Sequence, residues 1–413
     1  MNNTNINQSR IFLACCVALI VTAMTFAIRA GILGQLSDEF NLSDTQLGWI
    51  NAMAFLGFPV AMMFGGLLYN LIGAKKLMFL AFFCHLIGLV LTIMADGFIL
   101  LLLSSFFVGF ANGSVEAGAN PLIAEIYKNN KTAMLNRFHV WFPGGIVIGA
   151  ITSNFMTGLD LSWHAQIAIM ILPTIIYGWL MFGQAFPKDD EVETSTSANI
   201  KALISPLFIF MMFCMTLTAI TEFGPQQWID RILGSTDANP MLILAMTTGV
   251  MAVGRYFAGP LVHRLNPVGV LLMSSVVATF GIYLLSIANG GLIYLAAIVF
   301  ALGVTYFWPT MIGFISEYTP KTGALGMSLM GGAGMFSVSM WNPVIGNWID
   351  AGRQAAEKTG LTGAEAEVVA GQVTLGHLVY FPLVLIVCFT GLYFMTRGTR
   401  NKDNQTSNAA ESV

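Results

Sequence analysis

Charge is scarce in this sequence. Asp, Glu, Lys and Arg make up 9% of the 413 residues, where soluble domains carry roughly a quarter, so an ordinary soluble fold is excluded. The formal net charge of −3 supplies no basic face for nucleic acid, which removes that class of partner. The five cysteines, Cys15, Cys16, Cys84, Cys214 and Cys388, all lie in apolar runs without ligand or disulfide spacing, and are read as small buried hydrophobes. His85, His164, His263 and His377 occur singly and are left as structural residues. No nucleophile stands beside a matched base and no His/Asp cluster falls within the helices, so no catalytic residue, metal or cofactor is expected. The glycine-rich LMGGAGMFS from Leu329 lacks the lysine and the strand of a phosphate loop,. Without a nucleotide-binding cassette, vectorial work would have to draw on an ion gradient. The absence of a sizeable soluble domain argues against a sensor.

Long apolar runs fill the chain instead: 56% of the residues are hydrophobic. A membrane-spanning helix needs about 20 such residues, and twelve windows of that kind are separated by short polar breaks. The expected fold is therefore an all-α integral membrane protein, with the lipid bilayer as its solvent. IFLACCVALIVTAMTF is read as an uncleaved first helix, because one positive charge precedes it and no convincing small-residue cleavage site follows,. PKDDEVETSTSANIK, residues 187–201, divides an N-terminal six-helix bundle (1–186) from a C-terminal one (202–413). Lys and Arg concentrate on one side, at Lys75, Lys76, Lys128, Lys131, Lys188 and Lys201 among others, leaving Arg231, Arg353 and Lys358 for the other. By the positive-inside rule both termini are cytoplasmic in a bacterial-type inner membrane, and residues 348–373 form a partly helical external loop. An offset of 193 residues lays GGLLYNLIGAKKL at Gly65 on AGPLVHRLNPVGV at Ala258, and Arg29 on Glu222. Parallel repeats of this kind are a plan of secondary transporters.

Gly66, Leu68, Gly73, Lys75 and Lys76 in GGLLYNLIGAKK resemble the loop motif of the major facilitator superfamily, with Asn70 and Leu71 in place of its usual acid and arginine. Within that superfamily, Glu116, Asn120 and Pro121 in the fourth helix, and Glu222 and Trp228 in the seventh, are similar to the fucose permease group. The resemblance implies two pseudo-symmetric six-helix bundles and a transporter of a sugar or sugar derivative with cation coupling, protons expected and sodium the alternative; a monomer is expected. The group's first-helix acid falls here at Ala30, beside Arg29, and His139 stands where a glutamine is usual.

An ionised side chain in mid-membrane costs at least about 2.5–3.5 kcal/mol on insertion scales and survives facing a partner or a wet cavity. Arg29, Glu116 and Glu222 are the deepest such residues. Arg29 and Glu222 are expected to form an ion pair that gates the outer side and turns to the solute when it opens. Glu116 is expected to carry the coupling proton, shared with His139, with Asn120 one turn away on the same face. Gln226, Gln227 and Trp228 in the seventh helix, Trp308 in the tenth and Asn342 in the eleventh are expected to join Arg29, Asn120 and Glu222 around the solute, aromatic faces against a ring and amides against its hydroxyls. Arg29 also suits a carboxylate, so an organic anion such as a sugar acid, or an exporter of the same fold, is the rival reading. A membrane-embedded enzyme or a sensor is the rival from another class.

Overall fold

The structure, a computed structural model, describes residues 6–127, 134, 137–187, 201–236 and 238–410. The linker 187–201 lies almost wholly outside them. Among the described residues twelve helices correspond to the apolar windows, ten of them long and apolar enough to cross a membrane. The N-terminal six are α1 Gln8–Phe40, α2 Asp44–Gly65, α3 Ile72–Ile93, α4 Phe98–Ile123, α5 Arg137–Gly158 and α6 Trp163–Met181. The C-terminal six are α7 Pro206–Gln227, α8 Pro240–Tyr256, α9 Arg264–Ile287, α10 Leu292–Ile315, α11 Gly323–Lys358 and α12 Ala364–Met395. Helices dominate because a bilayer leaves backbone N–H and C=O groups no outside partner.

Gly73 (φ 78°, ψ 160°) and Asn266 (φ 58°, ψ 167°) interrupt the helical backbone within the first residues of α3 and of α9. They are related by the 193-residue offset found in the letters, so the repeat extends to backbone conformation. Glycine takes this positive-φ geometry without strain. Asn266 takes it while its Oδ1 accepts a bond from Gly269 N at 3.0 Å. The stretch expected as an external loop is mostly two crossing helices prolonged: α11 runs to Lys358 and α12 begins at Ala364.

A buried polar chain ties the N-terminal bundle together. Asn112 Nδ2 donates to Thr25 Oγ1 at 2.9 Å, so Asn112 Oδ1 is left to accept from His85 Nε2 at 2.8 Å. The bare Nδ1 of His85 then takes the Tyr177 hydroxyl, also at 2.8 Å. Every member is satisfied with a neutral imidazole, which makes His85 the structural residue expected, a pin through α1, α3, α4 and α6. Trp163 is similarly internal, with 1% exposure, donating to Glu39 at 2.6 Å.

The membrane face opposite the chain termini, here called distal, is closed by α2 and α11. A Cβ on Gly48 would lie 2.7 Å from Pro343 Cα, and one on Gly346 would run into the backbone of Asp44. These two glycines therefore admit backbone contact between helices of opposite halves. At the same end Ser43 and Gln46 form a capping box on α2. The remaining N-terminal donors of α2 are taken from across the molecule: Asp350 of α11 accepts from Asp44 N at 3.2 Å, Thr45 N at 2.9 Å and Thr45 Oγ1 at 2.7 Å. A carboxylate is well placed at a helix N-terminus, where orphan N–H groups and the dipole both favour it. Asp44 is itself fully buried and accepts from Arg231 Nε at 2.7 Å and from Arg353. Arg353 also lies 2.6 Å from Glu367 of α12. Asp230 completes the closure by accepting from Gly34 N of α1 at 3.1 Å.

Because Asp44 holds two arginines of the opposite half, Asp44→Asn should loosen the distal closure. Breaking a largely buried ion pair costs several kcal/mol, enough to shift the open-to-closed ratio by roughly tenfold or more. Spin labels at the exposed distal positions Leu159 and Thr359 report the change as a new, longer distance population. An unaltered distance distribution would show that Asp44 does not hold the closure.

Candidate functional site

The two halves meet at mid-membrane on an aromatic layer. Phe26 and Phe55 of the N-terminal half pack with Phe223 of α7, at centroid separations of 5.1 Å (Phe26 to Phe55), 6.2 Å (Phe26 to Phe223) and 5.8 Å (Phe55 to Phe223). Trp308 meets Phe223 edge to face at 6.1 Å, and is partly buried. Aromatic rings arranged this way present apolar faces to anything entering between the halves.

Arg29 lies one helical turn from Phe26 on α1. Its guanidinium sits 5.4 Å from the Phe26 ring and 5.5 Å from the Phe55 ring, and Nη2 donates to Gln227 Oε1 at 3.1 Å. The residue is 7% exposed and its Nε has no hydrogen-bond partner. Among the described residues no carboxylate pairs with it. Two ring faces and one neutral amide offset part of a buried charge, cation–π contact contributing of order 1–2 kcal/mol when desolvated.

The expected Arg29–Glu222 pair is not formed. Glu222, 3% exposed, instead takes Arg255 of α8 at 3.1 Å, while Arg255 Nε donates to the Thr305 carbonyl at 2.8 Å. Helical geometry explains the exchange. The offset equates the depths of Arg29 and Glu222, but a side chain's direction turns by 100° per residue. Gln227, five residues on, projects about 140° away from Glu222, toward α1, leaving Glu222 inside its own bundle. The charges that do join the halves at the distal end are Asp44, Asp350, Arg231 and Arg353. The scarcity of basic residues on that side, with Arg231 and Arg353 two of three, was the signal for them in the sequence.

Glu116, Asn120 and His139 come together as one partly buried group. Asn120 Nδ2 donates to Glu116 Oε2 at 2.7 Å, and His139 Nε2 lies 3.0 Å from Asn120 Oδ1. Since that amide oxygen only accepts, Nε2 carries a hydrogen. Glu116 and His139 thus do not share a proton directly, as expected from sequence, but are linked through Asn120. The Thr25–Asn112 bond places those residues at one level. With 1.5 Å rise per residue on two antiparallel helices, Arg29 and Glu116 stand about 12 Å apart along the membrane normal, Arg29 on the distal side.

The remaining expected site residues divide. Gln227 faces Arg29. Gln226 is 3% exposed, with Nε2 3.6 Å from Met251 Sδ. Trp228, fully buried, donates to Asn342 Oδ1 at 2.9 Å, and Asn342 Nδ2 donates to the Val338 carbonyl at 2.8 Å. Those two side chains spend their polar atoms on a brace between α7 and α11, and present no free group to a solute here.

The profile described as Major Facilitator Superfamily matches residues 15–351. The sialic acid transporter NanX of Escherichia coli K12 is 24% identical over 361 residues, covering 83% of this chain and 87% of its own length. NarT of Staphylococcus haemolyticus, described as a probable nitrate transporter, is 21% identical over 396 residues, covering 92% and 94%. Among solved structures, the nucleoside transporter NupG superposes with a TM-score of 0.70 at 13% identity, over 92% of this chain and 98% of that one. A variant of the E. coli fucose:proton symporter FucP superposes with a TM-score of 0.57 at 16% identity, over 91% and 98%. At such identities the structures speak for the fold alone. The profile match across most of the chain, on twelve helices with an internal repeat, makes this protein a member of the Major Facilitator Superfamily, a transporter rather than an enzyme.

Proposed function

We propose that the chain is a proton-coupled secondary transporter of a small sugar-type solute bearing a carboxylate, such as a sugar acid, moved by alternating access between its two halves. The observation that carries this reading is Arg29: a permanent charge, 7% exposed at the junction of the halves, whose hydrogen-bonding side-chain partner is the neutral Gln227. A solute carboxylate offers the fork geometry and countercharge that the protein withholds. Trp308 and Phe223 supply apolar faces for a ring. NanX and NarT are named for anions, which supports the reading. An uncharged sugar is the second reading, favoured by the aromatic layer and by the fourth-helix likeness to the fucose permease group.

Glu116 is the proposed proton carrier. The Asn120 N–H pointed at its carboxylate suits a hydrogen-bonded acid. It would oppose a sodium ion, which wants oxygen ligands. His139 donates to Asn120 from the other side, so one amide bridges the two side chains. The distribution of basic residues supports cytoplasmic termini in a bacterial-type inner membrane, and nothing in the proposed cycle needs more than a monomer.

Three outcomes test this in proteoliposomes. Glu116→Gln should abolish uphill accumulation under an imposed pH gradient while solute exchange continues; normal accumulation would remove Glu116 from coupling. Arg29→Gln should weaken binding of a carboxylated sugar by about 10–100-fold, the worth of a charge-assisted bond, with little effect on the matching neutral sugar. Equal losses for both would favour the uncharged solute. Trp308→Ala should weaken ring-bearing solutes by about tenfold, as loss of an aromatic stacking face implies, and calorimetry in detergent would expose an unchanged affinity.

A further inference from the structure

Arg29 borders a second space, separate from the junction of the halves. A cavity of about 30 Å³ lies among α1, α2, α3, α4 and α6, wholly within the N-terminal bundle. Its polar lining is Arg29, Thr25, Thr92 and Ser105, and the rest is apolar, including Leu101 and Met170. A water needs roughly 10–15 Å³ on this measure, so the cavity takes one small ion with a water, and excludes a sugar.

We propose that this cavity is a binding site for a small monovalent anion of the chloride class, which serves Arg29 as counter-ion. Guanidinium cannot shed its proton in a protein, and burying an ion without a partner is heavily penalised unless a countercharge and hydrogen bonds offset it. Among the described residues no carboxylate forms an ion pair with Arg29: Glu222 is held by Arg255 at 3.1 Å, and Asp230 is turned to Gly34 N at 3.1 Å. Arg29 has donors to spare, with Nε lacking an acceptor. The hydroxyl protons of Thr25 and Thr92 are committed to the carbonyls of Thr22 and Gly88, at 2.6 and 2.7 Å. Thr25 Oγ1 also accepts from Asn112 Nδ2 at 2.9 Å, so neither hydroxyl has a proton left to give an anion. Arg29 and Ser105 are then the lining side chains left to donate to the anion. A weakly hydrated halide tolerates the apolar remainder of the wall. This inference is independent of the identity of the transported solute. It requires only that Arg29 be charged and lack a protein carboxylate.

The test is thermal unfolding of the purified full-length protein in detergent, in sodium chloride or bromide against sodium methanesulfonate at equal ionic strength. Methanesulfonate is too large for the cavity. A ligand that binds the folded state raises Tm with concentration, so a saturable rise of a few degrees with either halide is expected. Ser105→Ala should shift half-saturation several-fold upward, and Ser105→Leu, which fills the space, should remove the rise. Anomalous scattering from bromide-soaked crystals should place a peak beside Arg29, which keeps the inference testable if Ser105→Leu does not fold. Identical Tm values in halide and methanesulfonate, or a halide rise undiminished in both Ser105 variants, would overturn it and leave water as the occupant. Carboxylated-sugar binding in Ser105→Leu separates the two readings. Its retention with loss of the halide rise supports this site beside the solute site, whereas a halide rise without any carboxylate binding would sink the solute reading alone.

Discussion

A guanidinium in a membrane-spanning helix must be accommodated by something, because it cannot become neutral and the surrounding medium cannot hydrate it. Arg29 sets that requirement at the point where the halves meet. The protein answers with two phenylalanine rings, one glutamine amide and a small polar-edged cavity, and directs its own carboxylates elsewhere. The aromatic layer, the orientation of α7 and the placement of Gln227 all serve this one side chain. Under the proposed function, a site built so leaves room for a solute carboxylate.

The opposite strategy operates at the distal end. There Asp44 and Asp350 saturate two arginines and the N-terminus of α2, and glycines 48 and 346 bring backbones of different halves into contact. Charges that close a gate have to be fully paired in the closed state, since the stability of that state is their purpose. In the proposed function, Arg29 meets the solute because it remains incompletely paired. The same residue types thus take different roles through the number of partners the fold gives them.

Symmetry links the two regions without making them alike. The 193-residue offset governs helix order, depth and even the backbone break at Gly73 and Asn266. It does not govern which way a side chain points relative to the other half. Glu222 is the repeat counterpart of Arg29, yet it belongs to a pair inside its own bundle with Arg255.

Twelve helices, the internal repeat and the burial of Arg29 and Glu222 were legible in the letters. Hydrophobic length and the burial cost of charge act locally and leave a direct trace in sequence. The Glu116–Asn120 contact was legible too, because i and i+4 share a helix face. Pairing between helices was not. Whether Arg29 meets Glu222 or Gln227, whether Trp228 faces a cavity or Asn342, and whether His139 touches Glu116 or stops at Asn120 depend on rotations and crossing angles fixed by packing across the whole bundle. Those choices belong to the tertiary structure, since a turn of about 100° per residue sends neighbouring side chains to different partners at nearly the same depth.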